Sequence, residues 1–252
     1  MAYRVFFSNI GYARGIDGTL WQHVARAHRH IYSGLSMQQQ VLGQLKSIIA
    51  TENPDLCCLV EVDNGSFHSG YYNQMQYLMD NEYCVHEIAD KYGENSWLAK
   101  MPLFKGKSNA FLSKKPLPFQ RLYFRRGSKR LIYRLELPGN ITLFFAHFAL
   151  SEKVRADQMD EMRNLIQACA GEVMILADFN IMKGFAELKP LLHGTGLEVL
   201  NGEDDYTFTF HRRRLVLDLC LCSSSLVNRM DLRVIPQPFS DHAALLVDIK
   251  DI

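Results

Sequence analysis

Leu56-Cys57-Cys58-Leu59-Val60 is an unbroken apolar run that ends on Glu61. A run this short, with no polar alternation, reads as a strand covered on both faces, the kind found inside an α/β sheet. The rest of the chain fits that reading. Residues 3–8 form a first strand-like run that stops at Asn9-Ile10-Gly11. A helix is expected over residues 20–32, with Leu20, Trp21, Val24, His28 and Ile31 on one face. A second is expected over 37–50, with Val41, Leu42, Leu45, Ile48 and Ile49 on one side, and Pro54 cannot continue it.

Beyond it come a helix around 72–79 and a loop-rich stretch to Lys107. Strands are expected at 110–112, 130–137, 141–145, 173–176, 214–222 and 243–249, and helices at 152–170 and 185–192. No repeat, low-complexity tract or linker divides the chain, so the expectation is a single domain over residues 1–252, large enough for a sizeable core.

The net charge of +1 provides no overall field that would draw the chain onto nucleic acid, although a local basic groove still could. Its six cysteines, Cys57, Cys58, Cys84, Cys169, Cys220 and Cys222, form no C-x-x-C pair, and several sit inside apolar runs. Buried free thiols are expected, rather than a disulfide framework or a zinc site. No run approaches transmembrane length and the N-terminus has no signal-type core, so a reducing, cytoplasmic location is expected, with no obligate protein partner evident.

The chemistry lies where apolar runs end. Asn9 follows Phe6-Phe7-Ser8, Glu61 follows Leu59-Val60, and His147 follows Phe144-Phe145-Ala146. Asp178 and Asn180 follow Ile175-Leu176-Ala177, Asp218 interrupts an apolar run, and Asp241-His242 precede the last strand. A carboxylate in such a place is costly unless it is paired or metal-bound. Each has a plainer reading alone: Asp218 as a salt-bridge partner, His147 as a satisfied core histidine, Glu61 as a turn cap, Asp241-His242 as a turn pair. The set recurs too often along one chain for the plain readings to hold jointly.

In order, these residues read Asn9, Val60-Glu61-Val62, Ser108-Asn109-Ala110-Phe111-Leu112-Ser113, Ala146-His147-Phe148, Ala177-Asp178-Phe179-Asn180, Leu217-Asp218-Leu219 and Ser240-Asp241-His242. That ordered set resembles the signature of the endonuclease/exonuclease/phosphatase superfamily. Two departures stand out: Ala177 replaces the usual Gly, and Gly11 stands where some members carry a further acid.

The resemblance implies an α/β fold, a four-layer α/β/β/α sandwich of two mixed sheets packed face to face. It also implies metal-dependent phosphoester hydrolysis by in-line attack of water. Glu61 would be the principal ligand of Mg²⁺, with Mn²⁺ as the alternative ion, and Asn9 and Asp241 would sit beside it. Asp178 would orient or deprotonate the attacking water and Asn180 would bond a phosphate oxygen. His242 with Asp218 would form the imidazole–carboxylate pair, and His147 a second imidazole. Asn109 would organise the floor of the substrate site.

Three basic groups could meet an anionic substrate: the segment from Arg14 to His30, the cluster Arg125, Arg126, Lys129 and Arg130, and Arg212-Arg213-Arg214. Arg213, just before the Asp218 strand, is the expected phosphate contact, because arginine bonds phosphate bidentately. Compact length and near-zero charge lean towards a small or lipid-derived phosphoester. DNA or RNA is the alternative substrate, and a silent binding module of the same fold is the third reading.

Overall fold

The computed structural model describes residues 2–93, 96–101 and 104–251. Residues 94, 95, 102 and 103 of the expected loop-rich stretch lie outside it. Two six-stranded sheets and a two-stranded ribbon account for the strands of the described chain.

The N-terminal half builds the first sheet from β1 (Tyr3–Asn9), β2 (Leu56–Asp63), β3 (Val85–Asp90) and β4 (Lys107–Ser113). The second sheet takes β5 (Phe119–Tyr123), β6 (Leu131–Leu137), β7 (Ile141–His147), β8 (Glu172–Asp178) and β9 (Leu197–Val199). The ribbon is β10 (Phe208–Phe210) with β11 (Arg213–Leu215). Strand β12 (Asp218–Ser223) returns to the second sheet, while β13 (Met230–Ile235) and β14 (Ala244–Ile249) close the first. Strand order is β13-β14-β1-β2-β4-β3 in one sheet and β5-β6-β7-β8-β12-β9 in the other. Both are mixed: β1–β2 and β7–β8 are parallel, and the remaining pairs antiparallel.

Helices α1 (Leu20–Ala25), α2 (Leu35–Glu52), α3 (Gln74–Leu78), α4 (Trp97–Lys100), α5 (Glu152–Gln167) and α6 (Lys189–Leu192) lie between the strands in sequence. The period-two geometry of a strand explains the apolar run in β2. Cys58 and Val60 point into a core shared with Phe145, Leu176 and Cys220 of the second sheet. Cys57 and Leu59 point the other way, onto Leu42 and Leu45 of α2. The outer face of the second sheet is covered in the same manner by Met159 and Met162 of α5. The result is the expected four-layer α/β/β/α sandwich.

Several elements differ from the sequence reading. The helix expected over 20–32 breaks at Arg26, and a short 3₁₀ turn, Ala27–His30, follows. Local bonds compete with continuation, since the Arg26 guanidinium reaches back to the Gly15 carbonyl and the Gln22 side chain. Its apolar stripe of Leu20, Trp21, Val24 and Ile31 faces outward instead of into the core. The strand expected over 214–222 is two strands. Thr207 Oγ1 takes the N–H groups of Leu217 and Asp218, at 2.9 and 2.8 Å, where the chain turns from ribbon to sheet. The helix expected over 185–192 is a 3₁₀ turn, Phe185–Leu188, running into α6.

Candidate active site

Parallel pairing brings the C-terminal ends of β1 and β2 side by side, and likewise those of β7 and β8, while β12 and β14 begin at the same end of the sandwich. His147 and Asp178 are direct ladder neighbours, as are Asp178 and Asp218. Position along a strand thus becomes proximity in space. A cavity of about 190 Å³ opens there, and Asn9, Glu61, His147, Asp178, Asn180, Asp241 and His242 all line it. Asp218 lies just behind, fully buried.

Glu61 is aimed by two features. A register shift interrupts the β2–β4 ladder between Leu59 and Val62, and Glu61 itself holds a left-handed backbone at φ 57°. A bulge with a strained non-glycine residue re-aims a side chain out of the strand's alternation, a device that clusters at functional sites. Asn109 Oδ1 accepts the Glu61 N–H at 3.2 Å and steadies that conformation. Asn109 therefore lies beneath the cavity, supporting Glu61. Burial alone would raise the Glu61 carboxyl, but Lys91, then Lys129, His147 and Arg14, hold it down to about 2.

Asp178 is the hub. Its Oδ2 accepts the Asn9 amide at 3.0 Å and stands 3.0 Å from His147 Nε2, while Oδ1 takes the Asn180 N–H at 3.1 Å. Burial opposes its charge, yet His147, His242 and Lys129 keep it well below the usual carboxylate range. Asn180 is also left-handed, and its amide donates to the Phe148 carbonyl at 2.9 Å. The other end of Asn9 accepts the Gly11 N–H at 3.1 Å, in a turn that brings Gly11 to the cavity wall.

His242 Nδ1 is 2.7 Å from Asp218 Oδ2, and its Nε2 faces Asp178 Oδ2 at 4.0 Å. Burial disfavours the imidazolium, but Asp218, then Asp178, raise its pKa well above the ordinary range. Burial pushes the Asp218 carboxyl up, and His242 pulls it back. Ser240 fixes the segment by donating from Oγ to the Asn9 carbonyl at 3.0 Å and accepting the His242 N–H at 3.2 Å.

Lys129, which the sequence placed only in a basic cluster, lines the same cavity and contacts His147 Nε2. A neutral imidazole carries one proton, so Nε2 cannot both donate to Asp178 and accept from Lys129. With the proton on Nε2 the ring donates to Asp178 Oδ2 at 3.0 Å, leaving Nδ1 as an acceptor 3.9 Å from Glu61 Oε1 and Lys129 as a neighbouring charge. Burial, then Lys129, press the His147 pKa down to about 4, against the pull of Asp178.

Arg14 and His30 also line the cavity, so the basic segment after Asn9 does reach the site. Arg213 does not line it. The β10–β11 ribbon tilts its tip towards Gly18, whose carbonyl accepts the His211 N–H at 2.7 Å, and Arg213 is exposed there. Gly18 permits this approach: at φ 82°, a Cβ on it would lie 2.0 Å from the Thr209 carbonyl oxygen. Arg214, one residue on, lines the adjoining cleft with Asp241 and His242.

The donors around Glu61 suit a hard divalent cation. Glu61, Asn9 and Asp241 offer carboxylate and amide oxygens to one cavity. His147 Nδ1, buried without a hydrogen-bond partner, faces the same Glu61 carboxylate. Asp178, Asp218 and His242 form a second compact group, with ligand atoms within 4.8 Å of one another. There His242 Nδ1 is already committed to Asp218, so the group reads as a proton-handling pair beside Asp178 rather than as a cage.

A model of the endonuclease/exonuclease/phosphatase family matches residues 39–242. No curated protein sequence matches the chain. Among solved structures, truncated TDP2 of Caenorhabditis elegans is 16% identical, covering 100% of this chain and 98% of that one at a TM-score of 0.65. The human Nocturnin catalytic domain, solved with a sulfate anion, is 18% identical over 98% and 93% of the two chains, at 0.63. The endonuclease domain of TRAS1, a telomere-specific non-LTR retrotransposon, is 15% identical over 99% of each, at 0.62. At these identities the likeness is one of fold.

Proposed function

The chain belongs to the endonuclease/exonuclease/phosphatase family and is a phosphoesterase, and from that premise we propose that it is a Mg²⁺-dependent hydrolase of a small or lipid-derived phosphate ester. The observation that carries this reading is the convergence of Asp178, His242 and Glu61 on one cavity, with His147 between Asp178 and Glu61.

Glu61, with Asn9 and Asp241, would hold the cation, which supplies neutralisation of charge on the phosphoryl oxygens. The remaining roles follow from the chain's own groups. Asp178, fixed by Asn9, Asn180 and His147, is a preorganised acceptor for the attacking water. His242, kept protonated by Asp218, presents Nε2–H to a phosphoryl or leaving oxygen. Lys129 and Arg14 add positive charge where the phosphate would sit.

The test is a substrate panel with Mg²⁺ or Mn²⁺: bis-p-nitrophenyl phosphate, phospholipids, sphingomyelin, plasmid DNA and RNA. Chelator-sensitive cleavage of a small or lipid ester is expected. Cleavage confined to DNA or RNA would replace the substrate assignment with the nuclease reading. Silence across the panel would favour a binding module.

A further inference from the structure

Helix α1 and the turn after it leave an apolar surface in water. Trp21 is 78% exposed, and Val24 and Ile31 are each 66% exposed, with Leu20 beside them about half exposed at 48%. The apolar groups of a short amphipathic helix are normally its buried stripe, and exposed apolar side chains gathered on one short segment mark an interaction surface. Both ends of the segment meet the active site. At its start, Gly18 packs against Asp241, and at its end His30 lines the cavity next to Ile31.

The segment itself carries only basic charges, and the acidic side chains near it, Asp17, Asp204, Asp205 and Asp241, line the adjoining cleft beside the ribbon. Between Asp17 and Glu52 the sequence has no carboxylate side chain, but it has Arg26 and Arg29 within the exposed segment. Both guanidinium groups donate to main-chain carbonyls, Arg26 to Gly15 and Arg29 to Arg14 and Gly15. Such bonds fasten the segment over the site and leave the positive charges in place. Arg212 and Arg213, exposed at the ribbon tip beside Gly18, extend the basic margin.

We propose that this face docks the enzyme on an anionic phospholipid surface, bringing the cavity mouth to the bilayer so that its substrate is a lipid phosphoester. Apolar side chains with Trp on one side and basic residues around them are what an interfacial segment needs. Single-stranded nucleic acid would use aromatic platforms; Trp21 and the half-exposed Tyr32 have that form, but Leu20, Val24 and Ile31 beside them have no π face to offer a base. The substrate half of this proposal rests on the phosphoesterase reading; the docking half does not.

Vesicle co-sedimentation tests it. Wild-type protein should bind phosphatidylcholine vesicles containing phosphatidylglycerol, at least about tenfold more weakly without the anionic lipid, and less as salt rises. The triple variant W21S/V24S/I31S should lose at least about tenfold in binding while keeping its melting temperature and its hydrolysis of bis-p-nitrophenyl phosphate. In a Trp97→Phe background, Trp21 fluorescence should shift to the blue on anionic vesicles, a readout that does not depend on the triple variant folding. No binding to anionic vesicles, equal binding by the triple variant, or a loss seen only with single-stranded DNA or RNA would overturn the docking face. Hydrolysis of the soluble ester without vesicle binding sinks this inference alone; vesicle binding without hydrolysis of any ester keeps the docking face and sinks the phosphoesterase reading.

Discussion

Asp178 and Asp218 stand opposite each other on neighbouring antiparallel strands, and one imidazole serves both: His242 bonds Asp218 through Nδ1 at 2.7 Å and faces Asp178 with Nε2 at 4.0 Å. Two buried carboxylates so close would repel each other unless a cation lay between them. The ring meets that need only as an imidazolium, which is why its pKa is raised.

Asp218→Asn keeps a hydrogen-bonding group but removes the charge. The His242 pKa should fall by more than about two units, readable as an NMR titration of the ring nitrogens. Since the raised pKa keeps the ring protonated through neutral and mildly alkaline pH, the alkaline limb of kcat should move down in the variant. An unchanged His242 titration would show that Asp218 does not set the charge of the ring.

Glu61→Gln removes the carboxylate that the cavity's cations hold ionised. Turnover should fall by about 10²–10³ or more, as it does when transition-state charge stabilisation is removed. Mn²⁺ binding, followed by calorimetry without substrate, should weaken in parallel. Turnover lost with metal affinity intact would place the cation elsewhere, with the Asp178, Asp218 and His242 group as the next candidate.

Folded stability in chelator should fall on mild acidification. His147 has its folded pKa pressed to about 4, below its ordinary 6.5, so the unfolded chain binds a proton that the folded one refuses. The contribution is intact above about 6.5, is lost as pH falls from there, and is fully lost near 4, on the order of 3 kcal/mol. Urea midpoints at pH 7.5 and 5.0 should show about 2 kcal/mol of it. His147→Asn should flatten that dependence, and an equally steep variant would assign the loss to other groups.

The strands carrying Glu61, His147 and Asp178 were legible because burial on both faces of a sheet leaves an unbroken apolar run, and a polar residue after it is conspicuous, although β2 runs on past Glu61 to Asp63. The same logic failed for residues 20–32, where helical periodicity suggested a core face that the structure exposes. Periodicity reports that a segment is amphipathic, not what covers it. It failed again at residues 214–222, because the bonds from Thr207 that turn the chain come from outside the run. Arg213 and Lys129 show the limit for cations. Arg213 opens β11 and Lys129 lies just before β6, and only the tilt of the ribbon and the path of the Gly127-Ser128 loop send one to solvent and the other into the cavity.

Lys129 gives the sharpest separation between a structural and a functional cation. It contacts His147 Nε2 and is, after burial, the main influence lowering that ring's pKa. It also helps to hold Glu61 and Asp178 ionised. Lys129→Met keeps the apolar stem and deletes the charge. The His147 pKa should then rise, because Asp178 and Glu61 still favour the charged ring and burial is left to oppose them without the ammonium. If the ammonium also meets the phosphate, inorganic phosphate should inhibit the variant more weakly, and kcat/KM should fall by about a hundredfold through loss of one positioned charge. A raised His147 pKa with unchanged kcat/KM and phosphate inhibition would mean that Lys129 only tunes the ring. Loss of turnover with the His147 titration unmoved would mean that it acts on substrate without setting the imidazole.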